Sequence, residues 1–209
     1  MKYDLHVHSF YSKKCGHMNP KDIVKTAIKN GLDGVAITDH DTIKGGLKAK
    51  EYEQKDFQVI VGSEIMTNRG EVIGLFLSEE IKSDNFESVI FEIRNQNGLV
   101  IIPHPFDELR NSALHPAKED IKLMDGVEVF NSRCLSQKYN INAAAFATKY
   151  NLVVTAGSDA HFSNEIGNGG IVTEDENIME AIAKNQITTF GKRSLLVNHV
   201  LTKTLKLFR

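Results

Sequence analysis

Residues 3–9 read YDLHVHS, an apolar run ending in His6-Val7-His8, and residues 153–161 read VVTAGSDAH, ending in Asp159-Ala160-His161. Each run has the character of a buried strand, and each ends by placing two metal-ligating side chains at i and i+2. Strand side chains alternate faces with a period of two, so both members of a pair point the same way. Two imidazoles presented together at a strand end have little use in a core, but they grip a divalent metal well.

Outward from these pairs the arrangement recurs. GVAIT (34–38) runs into Asp39-His40-Asp41, FQVIVGSE (57–64) ends in Glu64, and LVIIP (99–103) leads into His104-Pro105. GVEVF (126–130) leads into Asn131-Ser132-Arg133, and ITTF (187–190) is a last short strand. EVIGLFL (71–77) reads as a strand joined to its predecessor by a hairpin-length connection. Between the strands lie helical patterns. Pro20 opens the first, Ile23, Val24, Ala27 and Ile28 form its stripe, and Gly31 stops it. Others are expected over about 43–54, 84–96, 117–123, 137–150 and 176–185, with a terminal amphipathic helix in 195–209. The Gly-rich run IGNGG (166–170) has neither phosphate-loop nor dinucleotide spacing and reads as a rim turn.

Strands alternating with helices imply a parallel α/β architecture. An open sheet usually gathers its site at one crevice. Here metal-ligating residues follow strand after strand, always at the C-terminal end. A barrel brings all those ends onto one rim, so a (β/α) barrel of about seven strands is expected. One domain is expected, with residues 1–194 as the barrel core and 195–209 as the added helix.

Composition narrows the function classes. A chain of 209 residues can bury a full core, and 41% hydrophobic with 25% charged residues suits a soluble globular protein. The formal charge of −2 gives no overall bias toward nucleic acid or membrane. No apolar run approaches the roughly 18–20 residues of a bilayer span, and no basic-then-apolar leader opens the chain. Cys15 and Cys134 make no disulfide framework, so reduced thiols and a cytoplasmic location are expected.

The collected ligand candidates are His6, His8, His40, Glu64, His104, Asp159 and His161. Five of the eight histidines thus sit where apolar runs end. Imidazole plus carboxylate without a thiolate set suits Zn, Mn or Fe and argues against a structural zinc of the cysteine type. His-x-His, Thr-Asp-His-Asp, Gly-x-Glu, His-Pro and Gly-Ser-Asp-Ala-His, in that order, resemble the PHP (polymerase and histidinol phosphatase) superfamily. The likeness extends over essentially the whole chain, and HPFDELR and EVFNSR resemble its small phosphoesterase branch. The resemblance implies a distorted (β/α)7 barrel with two to three divalent metal ions on its C-terminal rim. By position, His6, His8, Glu64 and Asp159 would hold the first metal. Glu64 would bridge to a second, shared with His104, and His40 and His161 would hold a third. Asp39 would steer His40 or cap the following helix.

Two departures from the family pattern stand out. The loop after His-x-His reads SKKCGHMNP, with Lys13 and Lys14 where an acid is expected, leaving His17, Cys15 or nothing to complete the third site. The second metal lacks an evident third protein ligand, which leaves Asn131, Cys134 or water. Arg110 and Arg133 lie in rim loops, and a guanidinium matches phosphoryl oxygens, so both are expected to contact substrate phosphate. His115 and His199 lack strand-end placement and read as structural or exposed. Lys192, Arg193, Lys203, Lys206 and Arg209 read as solvated charges.

The expected activity is hydrolysis of a phosphate ester of a small metabolite or nucleotide, by a water whose pKa two metals lower. Glu64, Asp159, His40 and His161 carry the catalysis. His40 and His161 each have two readings, metal ligand or general acid. The expected partner is a small phosphorylated substrate; neither a membrane nor a nucleic acid is expected as a partner. Alternatives are a PHP-type nuclease, a binuclear hydrolase of C–N bonds, and a non-catalytic metal-binding domain.

Overall fold

The computed structural model describes residues 1–206. The chain runs through β1 (Lys2–Val7), α1 (Pro20–Lys29), β2 (Gly34–His40), α2 (Lys44–Lys50), β3 (Gln58–Thr67), β4 (Gly70–Leu75) and α3 (Phe86–Asn95). It continues with β5 (Leu99–Ile102), β6 (Gly126–Asn131), α4 (Gln137–Tyr150), β7 (Val153–Gly157), β8 (Gly169–Val172), α5 (Ile178–Ala183), β9 (Thr188–Gly191) and α6 (Leu196–Lys206). Arg209 lies outside the described residues, as does the side chain of Lys206. No helix among the described residues is long and apolar enough to cross a membrane.

The helices begin and end where their chemistry says they should. Asn19 accepts a hydrogen bond from the Lys21 N–H ahead of Pro20, with Asp22 in the first turn of α1 and Lys29 in its last. Ser136 caps α4 in the same way, and Asn151 ends it in the left-handed conformation. The segment at 118–123 forms a 3₁₀ rather than an α-helix.

The nine strands form one sheet in the order β7-β6-β5-β4-β3-β2-β1-β8-β9. β1, β2, β3, β5, β6 and β7 run parallel. β4 is antiparallel to both of its neighbours, so its first residues lie at the end where the parallel strands finish. The sheet curls until its flanks meet. His8 N–H donates to the Ala160 carbonyl (2.9 Å) and Ala160 N–H to the His6 carbonyl (3.3 Å), which closes the upper seam. β8 closes the lower seam, antiparallel to the start of β1. The result is a distorted, nearly closed barrel.

Leu5, Ala36, Ile60, Ile73, Ile101, Ala156 and Ile171 form one cluster contributed by seven strands, which fills the interior. Two further clusters lie between the sheet and the helices. At the site end β1 is irregular. Its register against β2 shifts between Asp4 and Val7, Val7 packs with the outer cluster, and His6 and His8 turn to the rim. Such a bulge re-aims side chains beside a site.

The stretch read as a rim turn at 166–170 is partly strand. Gly169 and Gly170 open β8 because nothing larger fits there. A Cβ on Gly169 would lie 2.4 Å from the Gly157 carbonyl oxygen, and one on Gly170 would lie 2.1 Å from that of Tyr3. Glycine-rich composition hid a strand whose backbone is squeezed at the seam.

Candidate metal centre

Hydrogen bonding dictates how the first two imidazoles present themselves. His6 Nδ1 lies 3.0 Å from Glu128 Oε1, a carboxylate that only accepts, so this nitrogen carries the proton. His8 Nδ1 lies 3.2 Å from Ser12 Oγ, whose own hydrogen is donated to Asp39 Oδ1 at 2.6 Å, so His8 Nδ1 donates as well. Both Nε2 atoms are left as lone pairs, 3.1 Å apart and facing each other. Two acceptors in that position satisfy each other only if a cation or an extra proton lies between them.

Carboxylate oxygens gather around the same point. Glu64 reaches His6 Nε2 at 3.5 Å and His8 Nε2 at 3.4 Å, and Asp159 Oδ1 stands 3.8 and 3.3 Å from the same two atoms. Tetrahedral ligands about 2.1 Å from a zinc-sized ion would be separated by about 3.4 Å. The donor set and its spacing therefore fit a divalent metal. Glu64 Oε1 also meets His104 Nε2 at 2.9 Å, with Glu71 Oε2 3.5 Å from that nitrogen. His40 Nδ1 lies 3.2 Å from Glu64 Oε2 and 3.6 Å from Glu71 Oε1. His8, His40 and His161 form a further group with converging ligand atoms. His6, His8, Glu64, His104, Asp159 and His161 are all buried, and His40 is the most open of the set.

Charge is concentrated accordingly. Burial alone would lower His6, but the carboxylates of Glu128, Glu64 and Asp159 outweigh it and raise its pKa well above the ordinary value. Burial opposes the charge on Glu64, yet His6, His40 and His104 hold it well below the usual carboxylate range. Asp159 is likewise held down against burial by Arg110 and His6. Burial, reinforced by the charge on Glu64, pushes Glu71 up to about 7. His40 is lowered to about 4 and His161 well below its ordinary value, in both cases chiefly by burial. His104 and Asp159 also adopt positive φ, 29° and 54°, a strained backbone that turns their side chains onto the rim.

The two rim arginines differ. Arg110 Nη2 lies 2.7 Å from Asp159 Oδ2, its Nε donates to Asp107 at 3.0 Å, and no described residue takes a bond from its Nη1. Arg133 is 5% exposed, with Nη1 donating to both oxygens of Glu165 and Nη2 to Thr202 Oγ1. These bonds engage Nη1 and Nη2, and the side chain also lines the smaller cavity beside Arg110. Through Glu165, which accepts the His161 N–H at 3.0 Å, it braces the His161 loop.

His17 stacks on Phe162 and joins none of the three ligand groups, and neither does Cys15. Asn131 is a support rather than a ligand. Its amide donates to Glu128 and Asp159 and accepts from the Arg133 N–H. Asp39 neither caps α2 nor touches the His40 ring; it gives both oxygens to the loop at Ser9 and Ser12. His115 is exposed, whereas His199 lines a cavity beside the cluster.

Sequence reasoning missed Glu71 and Glu128. The hairpin reading held the signal for Glu71, because the first residue of an antiparallel strand sits at the same end as Glu64. For Glu128 the signal was a lone acid inside the apolar run GVEVF.

Two cavities meet at the cluster and share His40, Glu71 and Ser112. One, of about 280 Å³, reaches Arg110, Asp159, His161, His199 and Lys203. The other, of about 650 Å³, is lined by Tyr11, Lys13, Lys14 and Lys44 among others.

Comparison with known proteins agrees with this architecture. A model of the PHP domain family matches residues 4–197. An uncharacterized protein of Methanocaldococcus jannaschii is 41% identical over 185 residues, covering 85% of this chain and 73% of its own length. A 5'-3' exoribonuclease of Haemophilus influenzae is 41% identical over a 69-residue segment, 32% of this chain and 24% of that protein. Among solved structures, a two-domain protein of Bacteroides vulgatus containing a predicted PHP-like metal-dependent phosphoesterase superimposes with a TM-score of 0.75 at 21% identity. The match covers 92% of this chain and 65% of that one, so this chain spans about two thirds of its neighbour's length.

Proposed function

This chain belongs to the PHP domain family, and from that premise we propose that it is a metal-dependent hydrolase of phosphate esters acting on a small phosphorylated metabolite or nucleotide. The observation that carries the reading is the facing pair of Nε2 lone pairs on His6 and His8, ringed by Glu64 and Asp159 oxygens. These four residues would hold one metal ion. Glu64, His104 and Glu71 would hold a second, and His40 and His161 would contribute to a third. Divalent ions at such sites act as Lewis acids toward phosphoryl oxygens and lower the pKa of a water. The ligand set accepts Zn, Mn or Fe.

The chain's own residues set up the reaction in three ways. Glu128 and Ser12 hold the two imidazoles in the tautomer that offers Nε2. Asn131 and Arg110 pin one oxygen of Asp159, leaving the other for the cluster. Arg110 Nη1 is left to donate to a phosphoryl oxygen, where charge builds in the transition state. His40, the most open of the imidazoles, stands where the two cavities meet and is placed to handle a leaving-group proton or a metal.

A second reading, hydrolysis of a phosphodiester in a nucleic acid, is favoured by those two cavities, which leave room for a substituent on each side of the phosphate. The segment shared with the exoribonuclease lends it weight. The test is metal content by elemental analysis, paired with hydrolysis of p-nitrophenyl phosphate and of a short RNA after Mn²⁺ or Zn²⁺ loading. Two or three metals per chain with monoester turnover, lost in Glu64→Gln and Asp159→Asn, support the first reading. Turnover of RNA alone moves the assignment to the second. A chain that takes up no metal after reconstitution rules out both.

A further inference from the structure

The family model ends at residue 197, just as α6 begins, and α6 is oriented unusually. A surface helix normally turns its apolar stripe inward. In α6 the inward residues are polar, with Asn198 and Thr202 only 3% and 6% exposed, while Leu196 and Val200 are 64% and 62% exposed. Polar contacts hold the helix down. Arg133 donates to Thr202 Oγ1 at 3.0 Å and Asn164 to Asn198 Oδ1 at 3.4 Å, and just before the helix Ser194 N–H donates to the Ser132 carbonyl at 2.8 Å. Because Arg133 also grips Glu165, α6 is tied to the loop that carries His161.

His199, Thr202 and Lys203 of α6 thus line the smaller cavity together with Arg110 and Asp159. Thr202 is fully occupied, accepting from Arg133 and donating to the Asn198 carbonyl at 2.9 Å. His199 and Lys203 are not: neither makes a hydrogen bond or ion pair with any described residue. The acids on this side, Asp107 and Asp159, are already paired with Arg110. An uncommitted ammonium and an uncommitted imidazole on one cavity wall form a receptor for an anion.

We propose that α6 is the distal wall of the substrate pocket, where His199 and Lys203 bind an anionic group of the substrate other than the reacting phosphoryl group. The preferred substrates are therefore phosphate esters bearing a carboxylate or a second phosphate. This rests on the phosphoesterase reading for what occupies the cluster, but it is tested without turnover. Phosphonates keep the anionic head on a C–P bond that ester hydrolysis cannot cut. Titration calorimetry of the metal-loaded protein would use butylphosphonate, 4-phosphonobutyrate and butane-1,4-bisphosphonate.

Wild type should bind at least one of the two-headed probes about 10-fold more tightly than butylphosphonate, and which one identifies the second anion. Lys203→Gln, a change at an exposed position, and His199→Ala should each reduce that preference to within about 2-fold. Val200→Ser on the outer face should leave it intact. Equal affinity for all three probes in wild type overturns the proposal, as does a preference that survives both Lys203→Gln and His199→Ala. A protein that keeps the preference yet hydrolyses no phosphate ester sinks the phosphoesterase reading alone. Metal-dependent turnover without the preference sinks only this one.

Discussion

The two lone pairs of His6 and His8, 3.1 Å apart, exist because Glu128 and Ser12 occupy the opposite nitrogens. Removing the Glu128 carboxylate in Glu128→Ala should free the His6 ring to flip or change tautomer. The expected outcome is a loss of about 10–100-fold in metal affinity with the fold retained, read by competition with a chromophoric chelator and by circular dichroism. Arg133 predicts a different phenotype. Arg133→Ala strands the fully buried Glu165 carboxylate and should cost about 3–5 kcal/mol in denaturant unfolding. A variant as stable as wild type would show that Glu165 finds another partner or a proton. At this scale the histidines were legible because each ends an apolar run. Glu71 and Glu128 were not, because an acid inside a strand pattern shows its role only once the partner across the barrel is known. The pairing of Arg133 with Glu165 was hidden for the same reason: guanidinium chemistry suits phosphate and carboxylate alike, and only the fold brings Glu165 to it.

Elements re-aim what residues offer. The simple alternation expected at His6 and His8 is delivered through a register shift in β1, and the antiparallel direction of β4 carries Glu71 to the rim. Most strands and helices were readable from period and caps; Ser136 and Asn151, for example, bracket α4 at the residues expected. β8 was hidden because the close approach at the seam demands glycine, which also signals turns. α6 was readable as amphipathic but not as inverted, since only the polar cavity beneath it explains why its apolar side faces out. One consequence is acid sensitivity. Burial, with Arg133 and Arg110 adding to it, lowers the pKa of His199 from 6.5 to about 4. On acidification the unfolded chain takes up a proton near its ordinary pKa that the folded chain refuses. The stability linked to His199 is therefore complete above 6.5 and drains away as pH falls toward 4. Thermal unfolding of His199→Gln should show a shallower decline between pH 6.5 and 4 than wild type. Parallel curves would place the acid sensitivity elsewhere.

The whole molecule is a ring drawn together at one end. The candidate ligand residues come from β1, β2, β3 and β4 and from the ends of β5 and β7, so the cluster joins strands far apart in sequence. The interior below is apolar and closed, while the rim holds Glu64, Glu71 and Asp159 within reach of one another. Those acids repel unless cations separate them, and Glu71 already has its pKa raised to about 7 by burial and by Glu64. Bound metal should therefore act as a clasp on the barrel as well as serving the chemistry. With free metal at about 100 times its Kd, binding adds about 2.7 kcal/mol to stability. For a chain of this size that is a Tm shift of about 5–10 °C. Treatment with a chelator should lower the melting temperature by that much, and added Mn²⁺ or Zn²⁺ should restore it. In Glu64→Gln, which weakens the residue common to two sites, the response should shrink markedly. A wild-type melting curve indifferent to chelator and to added metal would mean that hydrogen bonds alone hold the rim, with His6 protonated between its carboxylates. The two lone pairs at the centre would then have a proton, not a metal, as their cation.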